Sequence, residues 1–278
     1  MSELTYVHSV VLGVVEGLTE FLPVSSTGHL TVTEKVLGLT VDDPAVTSFT
    51  AVIQLGAILA TLLYFWRDIT RLATAWASGL RDRAKRADPD YRLAWFVIIG
   101  SIPVALAGLA FKGLITGPLR SLWVVAVALV AWSAVMWFAE SRATQERGER
   151  QLTLKDVVVI GLVQCLALVP GVSRSGATIS AGLLLGLDRV TATRLSFFLA
   201  IPALTAAGLY ELKDVDTAVV GVGQILVGTA VAFVVAYATI AWLLRFVTQH
   251  PITVFVYYRV ALGLAVMVLL GTGALSAT

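Results

Sequence analysis

The chain carries the same broken apolar segment twice, and each copy holds polar groups in surroundings that otherwise exclude them. Residues 13–30 read GVVEGLTEFLPVSSTGHL and residues 161–178 read GLVQCLALVPGVSRSGAT, and they align without a gap at a shift of 148 positions. In both copies a short apolar helix is interrupted by a loop of glycine, serine and threonine. Polar groups are costly in apolar surroundings and usually functional there. The repeat therefore predicts where the functional site lies.

Composition indicates the class of protein in which this repeat occurs. Of the 278 residues, 58% are hydrophobic and 14% are charged, far from the values of a soluble domain. The net charge of +2 is small, so we expect no nucleic-acid partner. Six apolar runs are long enough for the helix of about 20 residues that spans a bilayer. These predicted spans are 47–66, 93–111, 119–139, 194–211, 220–246 and 254–275. We therefore predict an all-α polytopic membrane protein.

The two copies of the repeat are too short to add full spans. The apolar stretches 6–22 and 157–169 are each followed by a polar loop and a second short helix, at 28–39 and 177–187. Irregular backbone at membrane depth is tolerated only where it is buried in protein or lines a wet cavity. The sequence therefore predicts two re-entrant helix-loop-helix hairpins in addition to the six spans.

The distribution of charge predicts the topology, because short cytoplasmic loops hold most lysine and arginine. Seven cations lie in the loop 67–92 and four in 140–156, so both are expected in the cytoplasm, while the loops 40–46 and 211–219 are acidic. Three full spans separate the hairpins, and an odd number makes them inverted copies. We expect one domain, 1–278, with interleaved repeats at about 1–111 and 149–246. Both termini and the opening of the site are then expected on the outer side of the membrane.

Two glutamates, Glu16 and Glu20, lie four residues apart in the first copy and hence on one face of a helix. Two neighbouring buried carboxylates repel each other unless a proton or a cation lies between them. A divalent cation such as Mg²⁺ or Ca²⁺ binds oxygen ligands and can also hold substrate phosphates. The alternative is that both acids are solvated at the membrane surface. We favour the metal site because Glu20 is followed at once by the break Phe21, Leu22, Pro23 rather than by a polar surface loop.

Both loops end where a second helix begins, so hydroxyls and free backbone N–H groups converge where an anion is favoured. The first loop contributes Ser25, Ser26, Thr27, Gly28 and His29, and the second contributes Ser173, Arg174, Ser175 and Gly176. Arg174 suits phosphate because a guanidinium can bind two oxygens. Each loop alone is more often a helix cap, but the pair with Arg174 and His29 indicates an anion site. His29 could act there as general base, general acid or nucleophile.

Four stretches together resemble a known family. They are EGLTE at 16–20, PVSSTGH at 23–29, FTAVIQLGAI at 49–58 and PGVSRSGAT at 170–178. Over essentially the whole chain, the sequence resembles the bacterial undecaprenyl-pyrophosphate phosphatases of the BacA (UppP) type. The resemblance implies a plasma-membrane hydrolase that removes the terminal phosphate of undecaprenyl pyrophosphate. The monophosphate lipid carrier would return to peptidoglycan synthesis, and the enzyme would confer bacitracin resistance.

The resemblance also implies roles for individual residues. Glu16 and Glu20 are then the carboxylates at the metal and pyrophosphate, and Arg174 clamps phosphate. Ser26 and His29 form a pair of nucleophile and base, although direct attack by His29 or by a water stays open. Substrate binding is expected from Ser25, Thr27, Gly28, Gln54, Ser173, Ser175, Gly176 and Thr178. For Gln54 a plain hydrogen bond between helices explains the residue equally well.

A transport function is the alternative from a different class. Inverted repeats with broken helices are also the architecture of secondary transporters, and a transporter or flippase for a lipid phosphate or small anion would use Arg174 equally well. Hydrolysis is favoured because anion transport requires neither the acid pair nor the Ser/His couple. The expected partners are a polyprenyl pyrophosphate and membrane lipids. The oligomeric state stays open, with a homodimer as one option, because lipid-facing and subunit-facing surfaces have similar compositions.

Overall fold

The computed structural model describes residues 4–41, 43–115, 117–211 and 221–277. These residues form α-helices joined by turns and short 3₁₀ segments, without a β-strand among them. The helices are α1 Tyr6–Thr19, α2 Ser26–Val36, α3 Pro44–Tyr64, α4 Trp66–Arg81, α5 Pro89–Ala110, α6 Lys112–Ile115, α7 Leu122–Arg142, α8 Leu154–Gln164, α9 Arg174–Leu184, α10 Arg189–Glu211, α11 Val222–Phe246 and α12 Thr253–Gly271. The prediction of an all-α protein is confirmed.

Six of these helices, α3, α5, α7, α10, α11 and α12, are long and apolar enough to cross a membrane. They correspond one by one to the six predicted spans. Large apolar side chains point outward from them, for example Leu106, Leu226 and Val268, which are 62%, 64% and 64% exposed. A soluble protein rarely exposes so much contiguous apolar surface. The chain is therefore a polytopic membrane protein, as predicted.

The two copies of the repeat form pairs of short helices. The first copy is α1, a turn and α2, and the second is α8, a 3₁₀ segment at Cys165–Leu168, and α9. The longest of the four, α1, has 14 residues, about 21 Å at 1.5 Å per residue, and a bilayer core is about 30 Å thick. In each copy the two helices contact each other. None of the four is long enough to cross a bilayer alone.

Long helices pack around both short pairs. Helix α1 packs against α11, which also packs against α3, while α8 packs against α5 and α9 packs against α7 and α10. Phe21, in the turn after α1, is fully buried and meets the ring of Phe197 edge-on at 5.6 Å. Phe197 in turn contacts Phe65 at the end of α3, with ring centroids 5.7 Å apart. This aromatic cluster holds the first turn against α10.

The segment 67–92 is not the connecting loop that its charge suggested. Residues 66–81 form the helix α4, followed by a 3₁₀ turn at Arg83–Ala87. The reason is an amphipathic pattern, in which Ile69, Leu72 and Trp76 face the core at helical spacing and the arginines face outward. The acidic loops expected on the opposite side are only partly visible, because Asp42, Asp214 and Asp216 lie outside the described residues.

A buried carboxylate fixes the start of α8. Asp156 is 4% exposed and accepts hydrogen bonds from Arg147 Nη1 and Nη2 at 3.1 and 2.5 Å. The backbone N–H and the hydroxyl of Thr153 also donate to it, at 2.8 and 2.7 Å. Arg147 Nη1 donates as well to the carbonyl of Leu185 at 2.7 Å, which joins α8 to the end of α9. Burial alone would raise the pKa of Asp156, but the hydrogen bonds from Arg147 and Thr153 hold it below its ordinary value.

Asp156→Asn is expected to lower the melting temperature near neutral pH. Because the folded-state pKa of Asp156 is lowered, its carboxylate stabilises the fold above the ordinary aspartate pKa of about 3.9, and this contribution is lost as the pH falls through the lowered value. The difference from the wild type should therefore shrink in acid. Thermal unfolding in detergent across this pH range measures it, with the exposed Glu146→Gln as control. A difference that is constant with pH would contradict the assignment.

Candidate active site

Ser25 and Ser173 occupy equivalent positions in the two copies and share an unusual backbone conformation. Their φ and ψ angles are +77° and 98° for Ser25 and +75° and 123° for Ser173. Residues other than glycine rarely adopt this region, at a cost of about 1–3 kcal/mol each. Each serine directly precedes a helix, which begins at Ser26 in one copy and at Arg174 in the other. Strain of this kind persists where surrounding contacts enforce it, often at functional sites.

The two loops lie against each other. The backbone N–H of Gly171 donates to the Ser25 hydroxyl at 3.1 Å, and the Ser175 hydroxyl donates to the carbonyl of Leu22 at 2.9 Å. Gly171 has a φ of +101°, and a Cβ there would lie 2.5 Å from the carbonyl oxygen of Val125 in α7. Only glycine fits so close to α7. Loops that are 146 positions apart in sequence, counted from Ser25 to Gly171, thus form one polar centre.

Glu20 and Arg174 meet at this centre. Arg174 Nη2 lies 3.5 Å from Glu20 Oε1 and 3.4 Å from the backbone carbonyl oxygen of Glu20. Arg174 Nη1 donates to the carbonyl of Ser196 at 3.0 Å. The Ser26 hydroxyl donates to the other carboxylate oxygen, Glu20 Oε2, at 2.5 Å. The Glu20 and Arg174 side chains are 5% and 12% exposed. A carboxylate, a guanidinium and a hydroxyl thus share one nearly dry space.

His29 lies at the same centre but does not hydrogen-bond Ser26. Its Nδ1 contacts the carbonyl oxygen of Ser25 at 2.7 Å, and its Nε2 contacts the hydroxyl of Tyr258 in α12 at 2.7 Å. Ser26 instead pairs with Glu20. The structure therefore brings both members of the predicted nucleophile and base pair to the site, each with a different partner.

The remaining predicted substrate-binding residues differ in what their side chains do. Ser173 and Ser175 hydroxyls lie 3.1 Å apart, and the Ser173 hydroxyl accepts from the N–H of Gly176 at 3.2 Å. The Thr178 hydroxyl lies 2.7 Å from the Ser196 hydroxyl in α10 and 2.9 Å from the carbonyl oxygen of Arg174. These buried hydroxyls hold α9 and its loop in place.

Three predicted positions lie around the edge of this network. Thr27 is exposed in the first turn of α2. Gly28 is buried, and a Cβ there would lie 2.9 Å from Val125 Cγ1, so its small size lets α2 approach α7. Gln54 is half-buried in α3, and no hydrogen bond among the described residues joins it to either loop.

Arg259 in α12 binds both loops at once. Its side chain is fully buried, and its guanidinium donates to the carbonyls of Pro23 at 3.1 Å and Gly171 at 2.7 Å. It also donates to the Ser133 hydroxyl at 3.1 Å and to the carbonyl of Leu129 at 3.4 Å, both in α7. Backbone carbonyls in an apolar interior need donors. Arg259 supplies them to the two loops and ties both to α7.

The carboxylates Glu16 and Glu20 suit a cation that takes few protein ligands. Both are buried, at 1% and 7% exposure, and Glu20 closes the last turn of α1 through its N–H bond to the carbonyl of Glu16. No cluster of three or more His, Cys, Asp or Glu is present among the residues that the structure describes. Mg²⁺ is commonly held by one or two carboxylates together with phosphate oxygens and water. Glu16 and Glu20, one helical turn apart on α1, fit that pattern, and Glu20 also contacts Arg174.

Comparison with known proteins identifies the family. A family model described as bacitracin resistance protein BacA matches residues 9–265 of the chain. The chain belongs to the BacA family. This match covers both copies of the repeat and every candidate site residue, so the resemblance noted in the sequence is confirmed.

Named relatives of this BacA chain are similar over almost their full length. Undecaprenyl-diphosphatase 3 of Frankia casuarinae is 58% identical over 274 residues, which is 98% of this chain and 99% of the relative. Undecaprenyl-diphosphatase 1 of Streptomyces avermitilis is 57% identical over 99% of this chain and 100% of its own length. Undecaprenyl-diphosphatase of Cutibacterium acnes is 51% identical over 95% of this chain and 96% of its own length.

Sequence reasoning missed two residues that contact this candidate site, Tyr258 and Arg259. The signal was present, because Arg259 is a charged residue inside the predicted apolar span 254–275. An ionisable residue within a membrane span is by default a candidate for function. Its partners, however, are backbone carbonyls, which no residue pattern reveals.

Proposed function

We propose that this chain is an undecaprenyl-diphosphatase, an integral-membrane hydrolase that converts undecaprenyl pyrophosphate to undecaprenyl phosphate and inorganic phosphate. The family match and the names of relatives at 51–58% identity support the activity. The single structural observation that carries the proposal is the contact of Arg174 with Glu20 and of Glu20 with Ser26 in a buried space. The product is the lipid carrier that is reused in peptidoglycan synthesis. This recycling is the proposed basis of the bacitracin resistance in the family description.

Arg174 binds the terminal phosphate in this proposal. Its buried Nε has no hydrogen-bond partner among the described residues. This N–H of the guanidinium can therefore donate to a phosphate oxygen. Phosphoryl transfer spreads negative charge over the equatorial oxygens, and catalysis depends mainly on positioning and charge neutralisation. A guanidinium held by Glu20 and by the carbonyl of Ser196 is fixed in place for that task.

Ser26 is the proposed nucleophile, and Glu20 rather than His29 accepts its proton. The 2.5 Å contact between the Ser26 hydroxyl and Glu20 Oε2 supports this assignment. A bond forms from Ser26 Oγ to the terminal phosphorus, the bond to the bridging oxygen breaks, and undecaprenyl phosphate leaves. Water then attacks the phosphoserine and gives a proton to His29 Nε2, and Glu20 returns the Ser26 proton to Oγ as the bond from phosphorus to Oγ breaks. Inorganic phosphate leaves and the Ser26 hydroxyl is restored. Acid quenching of a reaction with labelled terminal phosphate should trap label on Ser26, and label on His29 would refute the assignment.

Glu16 and Glu20 would hold the divalent cation, Mg²⁺ or Ca²⁺, with phosphate oxygens as further ligands. When bound, the cation supplies charge neutralisation at the pyrophosphate. The same two carboxylates repel each other less when a cation lies between them.

Release of inorganic phosphate tests the activity and the metal together. The purified full-length protein in detergent, given a prenyl pyrophosphate, is expected to release phosphate with added Mg²⁺ or Ca²⁺. Chelation should abolish the release, and either cation should restore it. No release, together with movement of labelled lipid phosphate across liposomes, would instead support the transport function.

Membrane topology completes the proposal. The two short helix pairs are re-entrant hairpins that enter from opposite faces as an inverted repeat within one domain, with the site and both termini on the outer side. The contact between the two loops supports their meeting inside the membrane. The many lysines and arginines around α4 and at 140–156 support a cytoplasmic location for these two segments.

Single-cysteine labelling is expected to report this topology. Cys165 is the one cysteine, so Cys165→Ala provides a blank background. In intact cells a membrane-impermeant maleimide should label Thr40→Cys but not Arg150→Cys, and after lysis it should label both. The reverse pattern in intact cells would place the site on the cytoplasmic side.

A further inference from the structure

Tyr258 in α12 contacts the candidate site from the outside. Its hydroxyl lies 2.7 Å from His29 Nε2, and the two rings are stacked with centroids 5.5 Å apart and planes inclined by 13°. Tyr258 is 49% exposed, whereas His29 is 9% exposed. Tyr258 thus covers one nitrogen of the buried imidazole and is itself accessible from the surroundings.

The partners of His29 determine which nitrogen carries hydrogen. The carbonyl oxygen of Ser25 can only accept a hydrogen bond, so Nδ1, which lies 2.7 Å from it, carries a hydrogen in both the neutral and the charged imidazole. In the neutral ring Nε2 is therefore the acceptor, and the Tyr258 hydroxyl donates to it. Any proton that His29 takes up or gives away passes through Nε2.

Nε2 makes no hydrogen bond to Ser26, whose hydroxyl is bound to Glu20 Oε2. A water or a phosphate oxygen that reaches Nε2 must bond beside the Tyr258 hydroxyl or displace it. Tyr258 therefore controls the one atom through which His29 exchanges a proton. Because Arg259 binds both loops, two consecutive residues of α12 act on the site.

We propose that Tyr258 is a positioning residue for His29, whose hydroxyl holds the imidazole in the Nδ1–H tautomer and in the orientation needed for turnover. The effect on turnover rests on the proposed diphosphatase function. The contact between the two side chains does not depend on it.

Nitrogen NMR of the full-length protein in detergent tests the contact. The chain has three histidines, so ¹⁵N-histidine labelling gives few signals, and His29→Gln identifies those of His29. Above the histidine pKa of about 6.5, Nδ1 should appear as N–H and Nε2 as a hydrogen-bonded, unprotonated nitrogen. Tyr258→Phe keeps the ring and removes the hydroxyl, so Nε2 should shift toward the value of a free nitrogen. A wild-type spectrum with hydrogen on Nε2 and none on Nδ1 would overturn the proposal without any variant.

Kinetics tests the role in turnover. Tyr258→Phe is expected to lower kcat by about tenfold or more, part of the roughly 10²- to 10⁴-fold contributed by a positioned proton-transfer group, with KM nearly unchanged. In the His29→Gln background the same substitution should have almost no effect, because a residue that acts through His29 is non-additive with it. The matched control is Tyr257→Phe, since Tyr257 is 70% exposed, and it should alter neither the spectrum nor kcat.

Two results would overturn the role of Tyr258. One is an unchanged kcat in Tyr258→Phe, and the other is an equal loss from Tyr258→Phe with and without His29. A wild type that releases no phosphate would overturn the proposed function instead, and the Nε2 shift would still decide whether Tyr258 positions His29.

Discussion

Arg174→Ala is expected to lower kcat by about 10³-fold or more, the range seen when an arginine that neutralises phosphoryl-transfer charge is removed. The substitution removes the guanidinium that lies 3.5 Å from Glu20 and offers a free N–H to phosphate. It also leaves Glu20 without its buried cationic partner. Arg174→Lys keeps the charge but loses the fork that binds two oxygens, so a loss of about 10²-fold is expected.

Phosphate release under saturating substrate measures both variants. Arg245→Lys is the matched control, because Arg245 is exposed at the end of α11 and should retain wild-type activity. Thermal unfolding must show that the Arg174 variants are folded. If a folded Arg174→Ala protein keeps turnover within about fivefold of the wild type, phosphate is not bound where we propose.

Arg259→Met is expected to destabilise the protein more than Asp156→Asn or the Arg174 variants do. Two effects oppose each other, because removing a fully buried guanidinium relieves its desolvation, whereas the carbonyls of Pro23 and Gly171 lose their donor. Each unsatisfied buried group costs about 1–3 kcal/mol. The loss of hydrogen bonds dominates, because no other donor to these two oxygens is found among the described residues and Arg259 joins both loops to α7 by hydrogen bonds. A fall in Tm of about 5–20 °C follows.

Activity should fall with stability in this variant, by about 10²-fold, because loops that shift by about 1 Å misplace Arg174 relative to Glu20. Arg259→Lys should be intermediate, since an ammonium retains the charge but reaches fewer of the four acceptors. Arg245→Met, at an exposed position, is the control for loss of one arginine. A rise in Tm for Arg259→Met would mean that desolvation dominates, and that the two loops hold together without the guanidinium.

The sequence alone predicted the architecture that depends on hydrophobic length. The six apolar runs correspond to six long helices, because a helix that crosses lipid needs about 20 apolar residues. The duplicated loops were also visible, because glycine, serine and threonine inside apolar segments stand out. The positive charge of residues 66–81, by contrast, did not reveal that they form a helix. The helix is determined by the spacing of the apolar residues and not by the charge.

Hydrogen-bond partners were decided only by the tertiary structure. The spacing of Ser26 and His29 suggested a pair, yet Ser26 bonds to Glu20 and His29 bonds to Tyr258, 229 positions away. Side chains three residues apart on a helix are neighbours, but the direction of each polar atom depends on what the adjacent helices present. Arg259 meets Pro23 and Gly171 for the same reason, because α12 packs against α7 beside both loops. Apolar length and local composition are properties of short stretches and can be read from the chain, whereas a hydrogen bond requires two distant segments at the right distance and angle.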